Sequence, residues 1–136
     1  MNTEAMATNK LSKSTPLEQT VYELSKMEWI PMHDDTTPGD FYDKPIRVDE
    51  PLGLCVTRYP KGYYKTWHRH TMGHGIFVLE GKLRTEDGIY GAGSFVWFPK
   101  GMVTRHGATD EEDCIFLFIS SVSGDIIFEE GPDCPA

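Results

Sequence analysis

Three of the chain's five histidines fall in KTWHRHTMGHGIFVLEG, residues 65–81: His68, His70 and His74. A fourth, His106, follows the turn sequence WFPKG. Imidazole is the commonest metal ligand in proteins and suits Zn, Fe, Ni and Cu. Alternate residues of a strand face one side, so His68 and His70 are neighbours on one face and Arg69 lies on the other. His74 comes four residues later, past Thr71-Met72-Gly73, where a bend brings it in as a third ligand. His106 lies beyond two hairpin-like turns, a return that sets one strand beside an earlier one. The competing reading is a half-exposed strand with polar positions and no metal. Four of five histidines in two windows, each against a Pro/Gly turn, weigh for the metal. His33 stands apart in a loop and reads as incidental.

The elements that must position these residues are short strands. From Pro51 onward, β-prone runs alternate with turn signals: LGLCVTRY, YYKTWHRH, GIFVLEG, KLRTE, IYGAG, SFVWF, MVTRHG, CIFLFISS and DIIFEE. Glu86-Asp87-Gly88 supplies a hairpin signal, and Pro60-Lys61-Gly62 and Pro99-Lys100-Gly101 read as tight turns. Many short strands without a long helical pattern predict an all-β sandwich or barrel. Upstream, EQTVYELSKM allows one or two helical turns on weak apolar spacing. MEWIPM alternates as a strand whose Pro31 suits a sheet edge. HDDTTPGDFYDKP reads as a turn-rich connector. The expected organisation is an N-terminal arm over 1–26, partly mobile, one barrel over 27–130 and a tail over 131–136.

Composition agrees. A chain of 136 residues defaults to one domain and buries roughly two-thirds of its unfolded surface. Its 13 glycines and 9 prolines suit a β protein better than a helical bundle. A formal net charge of −8 repels phosphate backbones and anionic lipids, which argues against nucleic-acid and membrane partners. Three cysteines without regular spacing give no disulfide framework. Cys55 and Cys114 read as buried thiols, and Cys134 lies in the tail. A reducing cytoplasm is the expected location, since MNTEAMATNKLSK lacks the apolar core of a signal peptide and no run reaches the ~20 apolar residues of a span.

The two histidine windows resemble the motifs of the cupin superfamily, small barrels of jelly-roll (double-stranded β-helix) type. The first family motif is G-x5-H-x-H-x3/4-E-x6-G. Here Gly62, His68, His70, His74 and Gly81 reproduce the spacing, with His74 in place of the glutamate. The second is G-x5-P-x-G-x2-H, matched by Gly93, Pro99 and Gly101. Thr104 occupies its histidine position and His106 comes two residues later, a shift that keeps the same strand face. Within the superfamily the texture is similar to small four-histidine cupins of the ChrR-like group. That group looks like it includes diketone- and dihydroxyacetophenone-cleaving dioxygenases as well as metal-sensing anti-sigma domains.

The resemblance implies one divalent transition metal per chain on His68, His70, His74 and His106, with Fe(II) favoured over Zn, Ni or Mn. Four neutral imidazoles leave nearly all the ion's charge uncompensated, which favours anionic oxygen ligands. Four ligands of six leave two positions for substrate. The implied function is a metal-dependent dioxygenase acting on a small enolisable, β-dicarbonyl or hydroxy-ketone compound. A non-redox isomerase or lyase using Lewis acidity, a non-catalytic sensor and a metal-free barrel are the alternatives. The cupin resemblance also implies a homodimer, to which MEWIPM could add a strand.

Tyr64, Trp67, Phe77, Trp97, Phe116 and Phe118 are the candidate pocket aromatics. On a regular strand Tyr64 and Thr66 share the face of His68, making Tyr64 the candidate hydrogen-bond donor to substrate. Arg58 is the candidate for holding a substrate carboxylate, against the more ordinary reading of a surface arginine. The run Asp110–Asp113 reads as a solvated turn. There is no nucleophile elbow, phosphate loop or C-x-x-C pair.

Overall fold

The computed structural model describes residues 17–49, 51–121 and 123–129; Cys134 and the tail lie outside them, as does most of the expected arm. The strands are β1 (Ile30–His33), β2 (Asp40–Arg47), β3 (Leu52–Tyr59), β4 (Tyr64–His70), β5 (His74–Glu80), β6 (Lys82–Thr85), β7 (Ile89–Gly91), β8 (Phe95–Phe98), β9 (Thr104–Ala108), β10 (Cys114–Ser121) and β11 (Ile126–Phe128). They form two antiparallel sheets. One has six strands in the order β1-β2-β3-β10-β5-β8, the other five in the order β11-β4-β9-β6-β7. This is the jelly-roll barrel that the resemblance implies.

Alternation drives the closure. Along β5, Ile76 and Val78 are fully buried; along β10, so are Cys114 and Phe116. With Tyr59, Tyr63, Leu83, Phe98 and Ala108 they form the core between the sheets. The turn residues act as their chemistry requires. Gly62, Gly81, Gly93 and Gly101 all have positive φ, between 73° and 90°, a conformation that strains residues with a Cβ. The Asp87-Gly88 hairpin closes β6 on β7, with Thr85 N–H donating to the Gly88 carbonyl at 2.8 Å.

EQTVYELSKM forms one helical turn, of 3-10 type, at Leu24–Lys26. Its weak apolar spacing gives a longer helix no face to bury. Tertiary contacts hold it instead: Lys44 Nζ donates to the Leu24 carbonyl at 2.7 Å and sits 4.2 Å from the Trp29 ring centroid. The second half of HDDTTPGDFYDKP is not connector but β2, paired with β3. Pro45 is tolerated there because β1 pairs with β2 only as far as Asp43. The MEWIPM strand is β1, at a sheet edge, as Pro31 predicts.

Candidate metal centre

β4 delivers His68 and His70, the turn at Thr71–Gly73 ends it, and His74 opens β5. That turn is sterically specified, since a Cβ on Gly73 would lie 2.5 Å from the Trp97 ring. His106 comes from β9, which pairs with β4. The Pro99-Lys100-Gly101 turn is tied to the first histidine strand, with Gly101 N–H donating to the His70 carbonyl at 2.9 Å. On β9 both Thr104 and His106 are buried and face inward, so the two-residue offset keeps the face.

The four rings form one cluster. Centroids of His68 and His70 are 5.3 Å apart, His68 and His106 4.9 Å, and His70 and His74 3.9 Å. Among the described residues, no group of three or more His, Cys, Asp or Glu side chains already has the geometry of a metal site. The rings are gathered, but their nitrogens do not yet meet at one point.

The donor chemistry nevertheless fits a metal. His68 Nδ1–H donates to the Thr66 carbonyl at 2.7 Å, which puts the lone pair on Nε2. His106 Nδ1 bonds the Tyr59 hydroxyl at 3.1 Å. Nε2 of His68, Nε2 of His106 and both ring nitrogens of His74 are buried without a hydrogen-bond partner. A backbone interaction with Met72 acts weakly on His74, but its geometry is not that of a hydrogen bond. A buried polar atom left unpaired costs about 1–3 kcal/mol, so several in one place mark a site that expects a ligand. Outer partners such as Thr66 and Tyr59 are what orient ligating histidines.

Burial also sets the protonation state. It pushes His68 and His74 down to about 4 and His70 to about 3, and holds His106 well below the ordinary histidine range. Neighbouring imidazoles and the Lys65 ammonium act in the same direction, after burial. All four rings are therefore neutral donors at pH 7.

A cavity of about 290 Å³ opens beside the cluster, reached by His70 and His106. Phe116 and Phe118 line it; Trp67 and Trp97 do not, and instead line a separate outer groove of about 510 Å³ between β8 and the smaller sheet. Phe77 pairs across the ladder with Phe95 and alternates with buried Ile76 and Val78, so it faces away from the core.

The positions of Tyr64 and Arg58 depart from expectation. β4 is not regular: its register against β9 shifts between Lys65 and His68, where two residues, Thr66 and Trp67, oppose one, Arg105. That bulge reverses the alternation. Tyr64 lands on the outside, its hydroxyl donating to Glu86 and its ring under the Arg84 and Arg105 guanidiniums at 4.1 and 4.8 Å. Arg58 also points away from the cavity, stacked on Tyr42 at 4.4 Å and paired with Asp113 at 3.3 Å.

The bulge puts Lys65 inside instead, paired with Asp34 of the β1–β2 loop. Asp43 and Thr57, from β2 and β3, join them on the cavity wall. No spacing rule marks these residues, since a bulge leaves no signature in KTWH. Asp34 also sits in a segment rich in ordinary turn residues.

A double-sheet barrel with inward histidines at motif spacing defines a cupin. The chain belongs to the ChrR cupin-like domain family, whose family model matches residues 17–122. Solved structures share the fold. The polyketide cyclase RemF of Streptomyces resistomycificus superposes with a TM-score of 0.73 at 15% identity, covering 85% of this chain and 89% of that one. A cupin-like protein of Thermotoga maritima gives 0.65 at 21% identity, over 83% and 90%. A proposed acetylacetone dioxygenase of Methylibium petroleiphilum gives 0.69 at 13% identity, over 90% and 88%. None of the curated protein sequences matches the chain.

Proposed function

We propose that the chain is a metal-dependent cupin enzyme, a dioxygenase acting on a small oxygenated compound of the enolisable, β-dicarbonyl or hydroxy-ketone class. The observation that carries the metal is the set of unpartnered, buried ring nitrogens on His68, His74 and His106, with His70 beside them. These four imidazoles would hold one divalent ion, with Fe(II) favoured. When bound, it would supply Lewis acidity and, as iron, one-electron chemistry toward dioxygen.

The chain's own residues do the rest. Thr66 and Tyr59 fix the ring orientations of His68 and His106. Burial keeps the four rings uncharged, so they add no negative charge to the centre and leave it attractive to an enolate or phenolate oxygen. Phe116 and Phe118 exclude water along one wall of the cavity, which strengthens that attraction. The proposed acetylacetone dioxygenase among the fold relatives is consistent with this reading, as the RemF cyclase is with a Lewis-acid alternative.

The test is metal content by elemental analysis on protein prepared without added metal, for wild type and His68→Ala/His70→Ala. Near-stoichiometric iron, lost in the variant, together with O₂ uptake on β-dicarbonyl or hydroxy-ketone compounds, is the expected result. Zinc, nickel or manganese without O₂ uptake would replace the dioxygenase by the isomerase or lyase reading. Protein that takes up no divalent ion at all would end the metal reading.

A further inference from the structure

Lys65 and the candidate ligand His106 stand opposite each other on β4 and β9, and both line the cavity of about 290 Å³, as does His70. Residues so paired have Cβ atoms about 5 Å apart. The Lys65 side chain is only 8% exposed, and its ammonium lies 4.1 Å from the Phe41 ring centroid. Among the described residues its hydrogen-bond acceptor is Asp34, which in turn accepts from the Tyr63 hydroxyl at 3.4 Å. An ammonium carries three donors, so Lys65 keeps donors for a further partner. A second carboxylate, Asp43, lies on the same wall within reach of the Lys65 charge.

A cation in this position works against a metal held by its neighbours, because like charges repel most strongly where water is excluded. The Lys65 charge does reach the rings. Burial lowers the pKa of His68, His70 and His106 first, and Lys65 adds to that lowering at all three. At His68 the Asp34 carboxylate opposes it, with a smaller effect than that of Lys65. Fastening the β1–β2 loop to β4 does not require the charge, since Thr37 already accepts from Thr66 N–H at 3.1 Å. An apolar side chain would fill the place without the cost of burying an ion. A buried ammonium beside the four imidazoles therefore has a use only if something besides the metal gains from it.

We propose, building on the metal-centre reading, that Lys65 is an anion-binding residue of the site, that its ammonium and the metal together attract a small anionic ligand into the cavity, and that Asp34 positions the ammonium without cancelling it. The Lys65 charge then has two effects of opposite sign. It weakens the hold of the four imidazoles on a divalent cation, and it strengthens the binding of an anion beside that cation. Both effects are larger than they would be in water, because Phe41, Phe116 and Phe118 make much of the remaining wall apolar. Removing the Asp34 charge leaves the ammonium uncompensated and must move both affinities in the direction opposite to removing the Lys65 charge.

The test uses the full chain loaded with cobalt(II), with azide as the probe anion. The visible absorption of the ion reports azide binding, and chelator competition gives the affinity for cobalt itself. Lys65→Met is expected to weaken azide binding about tenfold and to tighten cobalt binding by about tenfold or more. Asp34→Asn should tighten azide binding and weaken cobalt binding. The double variant Lys65→Met/Asp34→Asn should lie between the two single variants on both scales. Opposite movement of the two affinities is the signature of charge, since damage to packing lowers both together. Asp34→Asn retains the lysine and decides by itself where Lys65→Met fails to fold. An azide Kd unchanged within about twofold in the single variants, or both affinities falling together in each of them, overturns the role of Lys65 while leaving the metal centre standing. Cobalt-loaded wild type that binds no azide does the same. Wild type that takes up no cobalt overturns both.

Discussion

A histidine buried as a neutral ring makes the protein sensitive to acid, and four of them share one site here. An unfolded chain's histidines take up protons near pH 6.5. In the folded state His68 and His74 wait until about 4 and His70 until about 3. Between those values the unfolded state binds more protons, so stability falls as pH falls. Asp43 works in the opposite sense, because its folded pKa is raised. Metal-free protein should therefore lose melting temperature steadily from pH 7 to pH 5, above the range where carboxylates dominate. A flat profile there would mean the rings are not buried neutral. The loaded protein should release metal over the same acid range, followed with a chelating dye, because protons compete for the imidazole lone pairs. Tyr59→Phe removes the partner of His106 Nδ1 and should weaken metal affinity about tenfold, read by chelator competition. Unchanged affinity would remove Tyr59 from the support of the site.

At the scale of the element, the turns and the β4 bulge decide what faces what. Gly81 links β5 to β6 with φ +73°, and a Cβ there would lie 2.0 Å from the Asp113 carbonyl oxygen. Gly93 has φ +90° but open space around it. Gly93→Ala should therefore cost only the left-handed strain, about 1–2 kcal/mol. Gly81→Ala should cost more than about 3 kcal/mol, because backbone must move as well. Urea denaturation of the two variants measures the difference, and equal costs would mean the Asp113 contact is easily relaxed. The bulge is held from outside its sheet. Thr37, 2% exposed, accepts from Thr66 N–H at 3.1 Å, and its hydroxyl lies 3.0 Å from the Thr66 hydroxyl. The β1–β2 loop thus carries Asp34 to Lys65 and stitches β4 at the residue where its alternation breaks.

At the scale of the whole molecule, the 136 residues carry a formal net charge of −8, and among the described residues no helix is long and apolar enough to cross a membrane. The homodimer implied by the resemblance has a candidate surface around β8, where Phe95 and Trp97 are 54% and 56% exposed. They sit on an edge strand beside outward-facing Phe77. Sedimentation should give a dimeric mass for wild type and a monomeric mass for Phe95→Glu/Trp97→Glu. A dimer that persists in the variant would move the interface elsewhere.

How far these features could be read from the chain alone differs by kind. The all-β class, the turns and the four histidines were legible because each rests on local physics. Pro-Lys-Gly and Asp-Gly favour turns wherever they stand, strand alternation pairs His68 with His70, and a two-residue offset returns His106 to the same face. EQTVYELSKM keeps a single helical turn, the least its weak spacing allowed, and the connector expected across FYDKP failed where tertiary contacts overrode weak local preference. Lys44, Trp29 and the β3 ladder settle those segments. The Lys65–Asp34 pair in the cavity wall was not legible at all. Whether Tyr64 or Lys65 faces inward depends on one extra residue in a bulge, and that bulge is fixed by Thr37, 29 residues away in sequence from Thr66. The sequence by itself determined the four inward histidines and the turns that carry them; only the tertiary structure decided which neighbouring side chains share their cavity, because that choice lies in pairing register between distant strands.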